Sequence, residues 1–141
     1  MSSVAEAPSP ARVEKEDPKQ KAREHFTLAE EALARGDMKE AETHSLLATK
    51  GDESVVEYAA FHAWVQSQTG VPLPESVRTF SRILDDHPEC QPALYYRGML
   101  LKQAGKDRAA LRDFVTVVRL NPDHIKALAE VKLLRARLPP K

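Results

Sequence analysis

Residues 93–122 read ALYYRGMLLKQAGKDRAALRDFVTVVRLNP. Two helix-like stretches flank Gly105-Lys106-Asp107, and Asn121-Pro122 closes the second. The glycine of this turn recurs along the chain. Gly36, Gly70 and Gly105 are spaced 34 and 35 residues apart, and each is followed five to six residues later by a small residue, Ala41, Ser76 or Ala110. A period of this length is the signature of a helix-turn-helix unit stacked into a solenoid, an architecture whose usual task is to hold another protein.

Outward from that stretch, the spacing predicts six further pieces. Residues 1–20, with Pro8, Pro10 and Pro18 and no apolar periodicity, read as a disordered tail or linker. A first helix from Ala22 carries Phe26, Leu28, Ala29, Ala32 and Leu33 until Gly36 supplies a left-handed cap. A second, from Met38 to Thr49, stops at Lys50-Gly51-Asp52. A third spans Ser54 to Gln68, with Gly70 as its cap. Pro72 and Pro74 push the start of the fourth to Glu75, and it runs to Asp86 with Val77, Phe80, Ile83 and Leu84 as its stripe. The fifth and sixth cover 92–104 and 108–120, and a seventh from Ile125 to Leu138 ends at Pro139-Pro140. The fold class expected is all-α, a right-handed superhelical solenoid of three helical pairs over about 22–54, 55–91 and 92–123, capped by a helix over 124–138.

The third pair carries Gly98, Leu101, Gly105, Ala110, Phe114, Leu120 and Pro122 at the positions where tetratricopeptide repeats place their signature residues, and on these the chain resembles that family. The first pair keeps Leu28, Ala29, Gly36, Ala41 and Ala48 but has Ser45 where an aromatic is usual. The middle pair keeps Ala63, Gly70, Ser76, Phe80, Ile83 and Pro88, with one extra residue near VPLPE. Close helix crossings require a small side chain, which Ala29, Ala63 and Gly98 offer on the first helices and Ala41, Ser76 and Ala110 on the second. The run YYRGMLLKQAGKDRAALRDF followed by a basic last helix is also similar to three-repeat modules that follow a J domain in some bacterial multidomain proteins; the order His-Pro-Asp is absent, and NPDH at 121–124 is an inter-repeat turn.

The resemblance implies that the first helices line a concave groove. Carried over residue by residue, it points to Arg23, Phe26, Glu30 and Leu33, then Glu57, Ala60, Trp64 and Ser67, then Tyr95, Met99, Lys102 and Gln103, with Phe61 and Tyr96 at the margin. Trp64 then looks into the groove, because Ala63 suits the helix crossing and an indole does not. Phe26 and Tyr95 fit the groove and the packing between repeats equally. The grip on a C-terminal carboxylate known in this family uses Lys, Asn and Arg side chains. This chain has Phe26, Glu30, Ala60 or Phe61, Pro92 and Tyr96 there, so the resemblance implies no affinity for the acidic tails of Hsp70- or Hsp90-type chaperones.

Composition agrees with a helical protein that lacks a membrane span: 42% hydrophobic and 30% charged residues are interleaved, and no apolar run approaches the ~20 residues of a span. The opening MSSVAEAPSP lacks the basic start and apolar middle of a secretory signal, and the single Cys90 has no internal disulfide partner, so a cytoplasmic location is expected. Residues 22–58 carry four Lys/Arg against nine Asp/Glu and residues 119–141 six against two, a charge asymmetry read as solvated faces. Neither a metal site nor a cofactor is expected. His87 and Cys90 lack further ligands, His25, His44, His62 and His124 are scattered, and no phosphate-binding glycine motif is present. The chain is read as no enzyme but a scaffold, adaptor or co-chaperone-like module binding a protein or peptide. Nucleic acid is an unfavoured partner, since the basic last helix has few charges and no aromatic companions. The other readings are self-association through the end helix, with Leu133 and Leu138 uncovered, and the repeat part of a larger J-domain chaperone or regulatory protein.

Overall fold

A computed structural model describes residues 17–140 and contains seven helices in that range, with no strand among the described residues. They are α1 (Pro18–Arg35), α2 (Met38–Gly51), α3 (Val56–Ser67), α4 (Leu73–Asp86), α5 (Gln91–Gln103), α6 (Asp107–Leu120) and α7 (Ile125–Arg137). Each packs on its neighbours in sequence, and α3 also touches α5, so the pairs pile up in order. The expected all-α solenoid of three pairs and a last helix is what forms.

Local chemistry sets the ends. Gly36, Gly70 and Gly105 have φ of 82°, 115° and 77°, a region open to glycine at little steric cost. With Gly36 so placed, its N–H donates to the Leu33 carbonyl at 3.0 Å and that of Asp37 to Ala32 at 2.8 Å, which closes α1. The Asp37 carboxylate then accepts from the Glu40 N–H at 3.2 Å and opens α2, so one turn both stops and starts a helix.

Four boundaries differ from the sequence reading by two residues or more. The proposed tail overlaps α1, because Asp17 caps the helix and Pro18 suits its first turn; the rest of that tail lies outside the described residues. The second helix runs on to Gly51, with Asp52 as its cap. Ser54 is not helical, since the Asp52 carboxylate accepts from both its N–H and its hydroxyl, at 3.2 and 2.6 Å. The fourth helix starts at Leu73 rather than Glu75: Pro74 sits in the first turn, where a missing N–H leaves no hydrogen bond unmade.

The main core joins α3 to α7 around Phe80, Leu100, Phe114, Val117 and Leu134, all but sealed from solvent. Gly98 determines how close α5 and α6 come: a Cβ there would sit 2.8 Å from the Phe114 ring. The first pair is built of smaller parts, Ala29, Ala32 and Ala41, against Phe61 and Val65 of α3.

Candidate docking groove

On α1, residues Arg23, Phe26, Glu30 and Leu33 recur at three- and four-residue steps and so share one face. Phe26 is half-buried. Its ring lies 4.8 Å from that of Tyr58 and 5.3 Å, edge-on, from that of Phe61, which ties α1 to α3. Of the two readings left open for Phe26, packing between repeats is therefore the larger part. Leu33 is half-buried on the same cluster. Arg23 is exposed and donates to the Gln20 amide oxygen at 2.8 Å. Glu30 is exposed, with its carboxyl raised by partial burial and then by Glu31.

On α3 the expected residues part company. Glu57 is exposed and lines a cleft of about 440 Å³ with Val56, Asp86, His87, Pro88 and Glu89. Ala60 is fully buried, packed into the main core, so it offers no surface to a ligand; its place on the expected groove list is corrected. Trp64 is half-buried, one face stacked on Tyr96 at 4.9 Å between centroids and 13° between planes. The indole thus belongs to neither extreme: one face is packed and part of it remains accessible. Ser67 turns back to donate to the Trp64 carbonyl at 2.5 Å.

Tyr96 and Tyr95 extend the row along α5. Tyr96 leans on Phe80, and burial pushes its phenol up to about 12. Tyr95 meets Tyr96, Phe114 and the His124 ring at 6.1, 5.6 and 5.2 Å. With His124, Gln91, Pro92 and Lys126 these tyrosines line a second cleft of about 300 Å³. Met99 is half-buried against the core. Lys102 binds Glu130 at 2.7 Å and so ties α5 to α7, while Gln103 is exposed. The result is a row of rings crossing three helices, from Phe26 through Phe61, Tyr96 and Trp64 to Tyr95.

These observations decide the class: helical pairs stacked in order, left-handed glycine turns and buried small residues on both helices of each pair. The chain has a tetratricopeptide-repeat fold. The Arabidopsis OM64 TPR domain is similar at TM-score 0.70 and 15% identity, over 86% of this chain and 99% of that one. The first TPR of Spaghetti (RPAP3), solved with the HSP90 peptide SRMEEVD, is similar at 0.71 and 16%, over 84% of this chain and 96% of that one. YrrB, a TPR protein with an unusual peptide-binding site, gives 0.62 and 20%, over 86% of this chain and 60% of its own. Such identities carry the fold alone. No protein-family model matches the sequence, and no curated protein matches it.

Within the first repeat, Ser45 fills the place where these repeats usually hold an aromatic ring. It is fully buried, and its hydroxyl donates to the Glu42 carbonyl at 3.1 Å. The neighbouring His62 of α3 reaches into the same space, its Nδ1 2.8 Å from Ser45 Oγ. A serine and a histidine at this distance have the spacing of a nucleophile and its base, but a sealed hydroxyl already bonded to a carbonyl meets no substrate. His25 and His44 pair nearby, Nδ1 to Nδ1 at 2.9 Å, between α1 and α2. In the third repeat Arg97 grips Asp113 through two bonds of 2.8 and 2.7 Å and reaches Ser81 at 3.2 Å. Sequence reasoning missed these pairs. Asp113 beside Phe114, a charge on an otherwise buried face, was the signal available for the last.

Cys90 caps α5, and its N–H donates to the His87 carbonyl at 3.0 Å, so the run from His87 to Cys90 is a tight turn. Burial pushes the Cys90 thiol up, which keeps it neutral and unreactive. Among the described residues, no helix is long and apolar enough to cross a membrane.

Proposed function

We propose that this domain is a non-catalytic adaptor whose concave face docks an extended or helical segment of another protein. The observation that carries the reading is the ring row, above all Trp64, which presents part of its indole beside Tyr96 while a neighbouring core holds both in place. Rigid half-exposed aromatics provide contact area at low entropic cost and commonly dominate such interfaces. The cytoplasm is the expected setting, and nucleic acid is not the expected partner.

The grip that holds a C-terminal carboxylate has no counterpart in Phe26, Glu30, Phe61, Pro92 and Tyr96, so the ligand differs in kind from the acidic peptide bound by the Spaghetti domain. A pull-down with the wild type beside Trp64→Ala tests the docking surface: the partner is captured by the first and lost by the second, while circular dichroism stays unchanged. Capture by both means that another surface binds it.

A second reading, self-association, has its own support. Ile125 is 80% exposed and Leu133 45% on α7, the open end of the stack. Light scattering over a concentration series shows a dimer if α7 pairs two copies and a monomer throughout if it does not.

A further inference from the structure

We propose that the segment held in the groove is cationic as well as apolar, with a lysine or arginine seated over the first two repeats next to its hydrophobic anchor. The inference deepens the docking function just given and rests on it.

Two carboxylates lie on the helix faces that carry the ring row at this end, and two more share a cleft with the second. Glu30 lies one turn beyond Phe26 on the same face of α1. Glu57 lies on the face of α3 that carries Phe61 and Trp64, at four- and seven-residue steps, and shares its cleft with Asp86 and Glu89. The groove surrounds connect: the field of Glu30 reaches the Tyr96 phenol, and that of Glu57 reaches Cys90 at the foot of α5. Among the described residues none of these four carboxylates has an ion pair.

The cations on the same faces are Lys19, Arg23 and Lys102. Lys102 is held by Glu130 at 2.7 Å. Arg23 bonds Gln20 and lies in the field of Asp52. His87 and Cys90 are the other titratable groups of the Glu57 cleft. Set against Lys19 and Arg23, which share the α1 face of Phe26, the four carboxylates leave this end net negative. A cation placed here meets both the carboxylates and the electron-rich faces of Trp64 and Tyr96. At the far end the sign changes, because Lys126 lines the cleft beside Tyr95. A bound segment is thus oriented, with its basic residue toward α1 and α3.

The test uses two blocked peptides, acetyl-Gly-Leu-Lys-Phe-Arg-Leu-Gly-amide and the same peptide with Glu in place of Lys and Arg. Trp64 is the sole tryptophan, so its emission reports on the groove alone. The basic peptide is expected to shift the emission in a saturable, salt-weakened way, and the acidic one to leave it unchanged. Because Glu30 and Glu57 are exposed, the double variant Glu30→Gln, Glu57→Gln folds as wild type and should bind the basic peptide about three- to tenfold more weakly. Equal response to both peptides, or an unaltered double variant, overturns the cationic preference and leaves the groove standing. Binding of the basic peptide with unmoved Trp64 emission, or no binding of either, overturns the groove reading along with it.

Discussion

The first and third repeats solve one packing problem with opposite materials. In the third, α5 and α6 close on a bare Gly98, and the Phe114 ring fills the space, fully buried. Arg97 and Asp113 then clamp the same pair and reach α4 through Ser81. In the first, the corresponding place holds Ser45, and a histidine from the next repeat bonds to it across the gap. A buried aromatic of this architecture is thus replaceable by a polar bridge, provided a neighbour supplies the second half. What changes is the kind of stability: apolar burial is indifferent to pH, a histidine bridge is not.

The largest effect belongs to the aromatic joint. Phe114→Ala should lose about 3–5 kcal/mol in chemical denaturation, since a ring is deleted from a sealed site. Ser45→Ala should lose only about 1–2 kcal/mol, the cost of leaving His62 without its partner. Equal losses would mean that the two joints contribute alike and would break the contrast.

Gly98→Ala sharpens it from the other side. The new methyl meets a ring that is fully enclosed and cannot swing away, so a loss of about 1–3 kcal/mol is expected in the same assay. An unchanged midpoint would show that α5 and α6 separate freely.

The smallest effect is the pH dependence of the polar joint. Burial holds the His62 imidazole below the ordinary histidine range, so the folded state binds fewer protons than the unfolded chain. Stability therefore falls as pH drops below about 6.5, and the loss is complete once pH passes below the depressed folded value. Thermal melts from neutral to mildly acidic pH should show this slope in wild type and a shallower one in His62→Gln. Identical slopes would assign the acid sensitivity to groups other than His62.

Much of this fold is legible in the sequence because glycine turns and small crossing residues are local demands. Gly36 and Gly105 need positive φ, and Gly98 needs an absent Cβ, whatever surrounds them. Helix starts were harder, since Asp17-Pro18 and Pro72-Leu73-Pro74 look like breakers until the tolerance of a first turn is considered. The groove was partly legible. The resemblance that pointed to Phe26, Trp64 and Tyr95 also pointed to Ala60, and only packing reveals that a small residue sinks from view. Pairings such as Arg97 with Asp113 and His25 with His44 join side chains 16 and 19 residues apart, a distance fixed by how two helices cross. No periodicity encodes that.

The central claim is that the accessible part of Trp64 is where a partner rests. Isothermal titration of the basic peptide into wild type and into Trp64→Ala compares the two affinities directly. A drop of about tenfold or more in the variant, with helicity preserved, is the outcome expected for an aromatic anchor. Equal affinities in two equally folded proteins would contradict it.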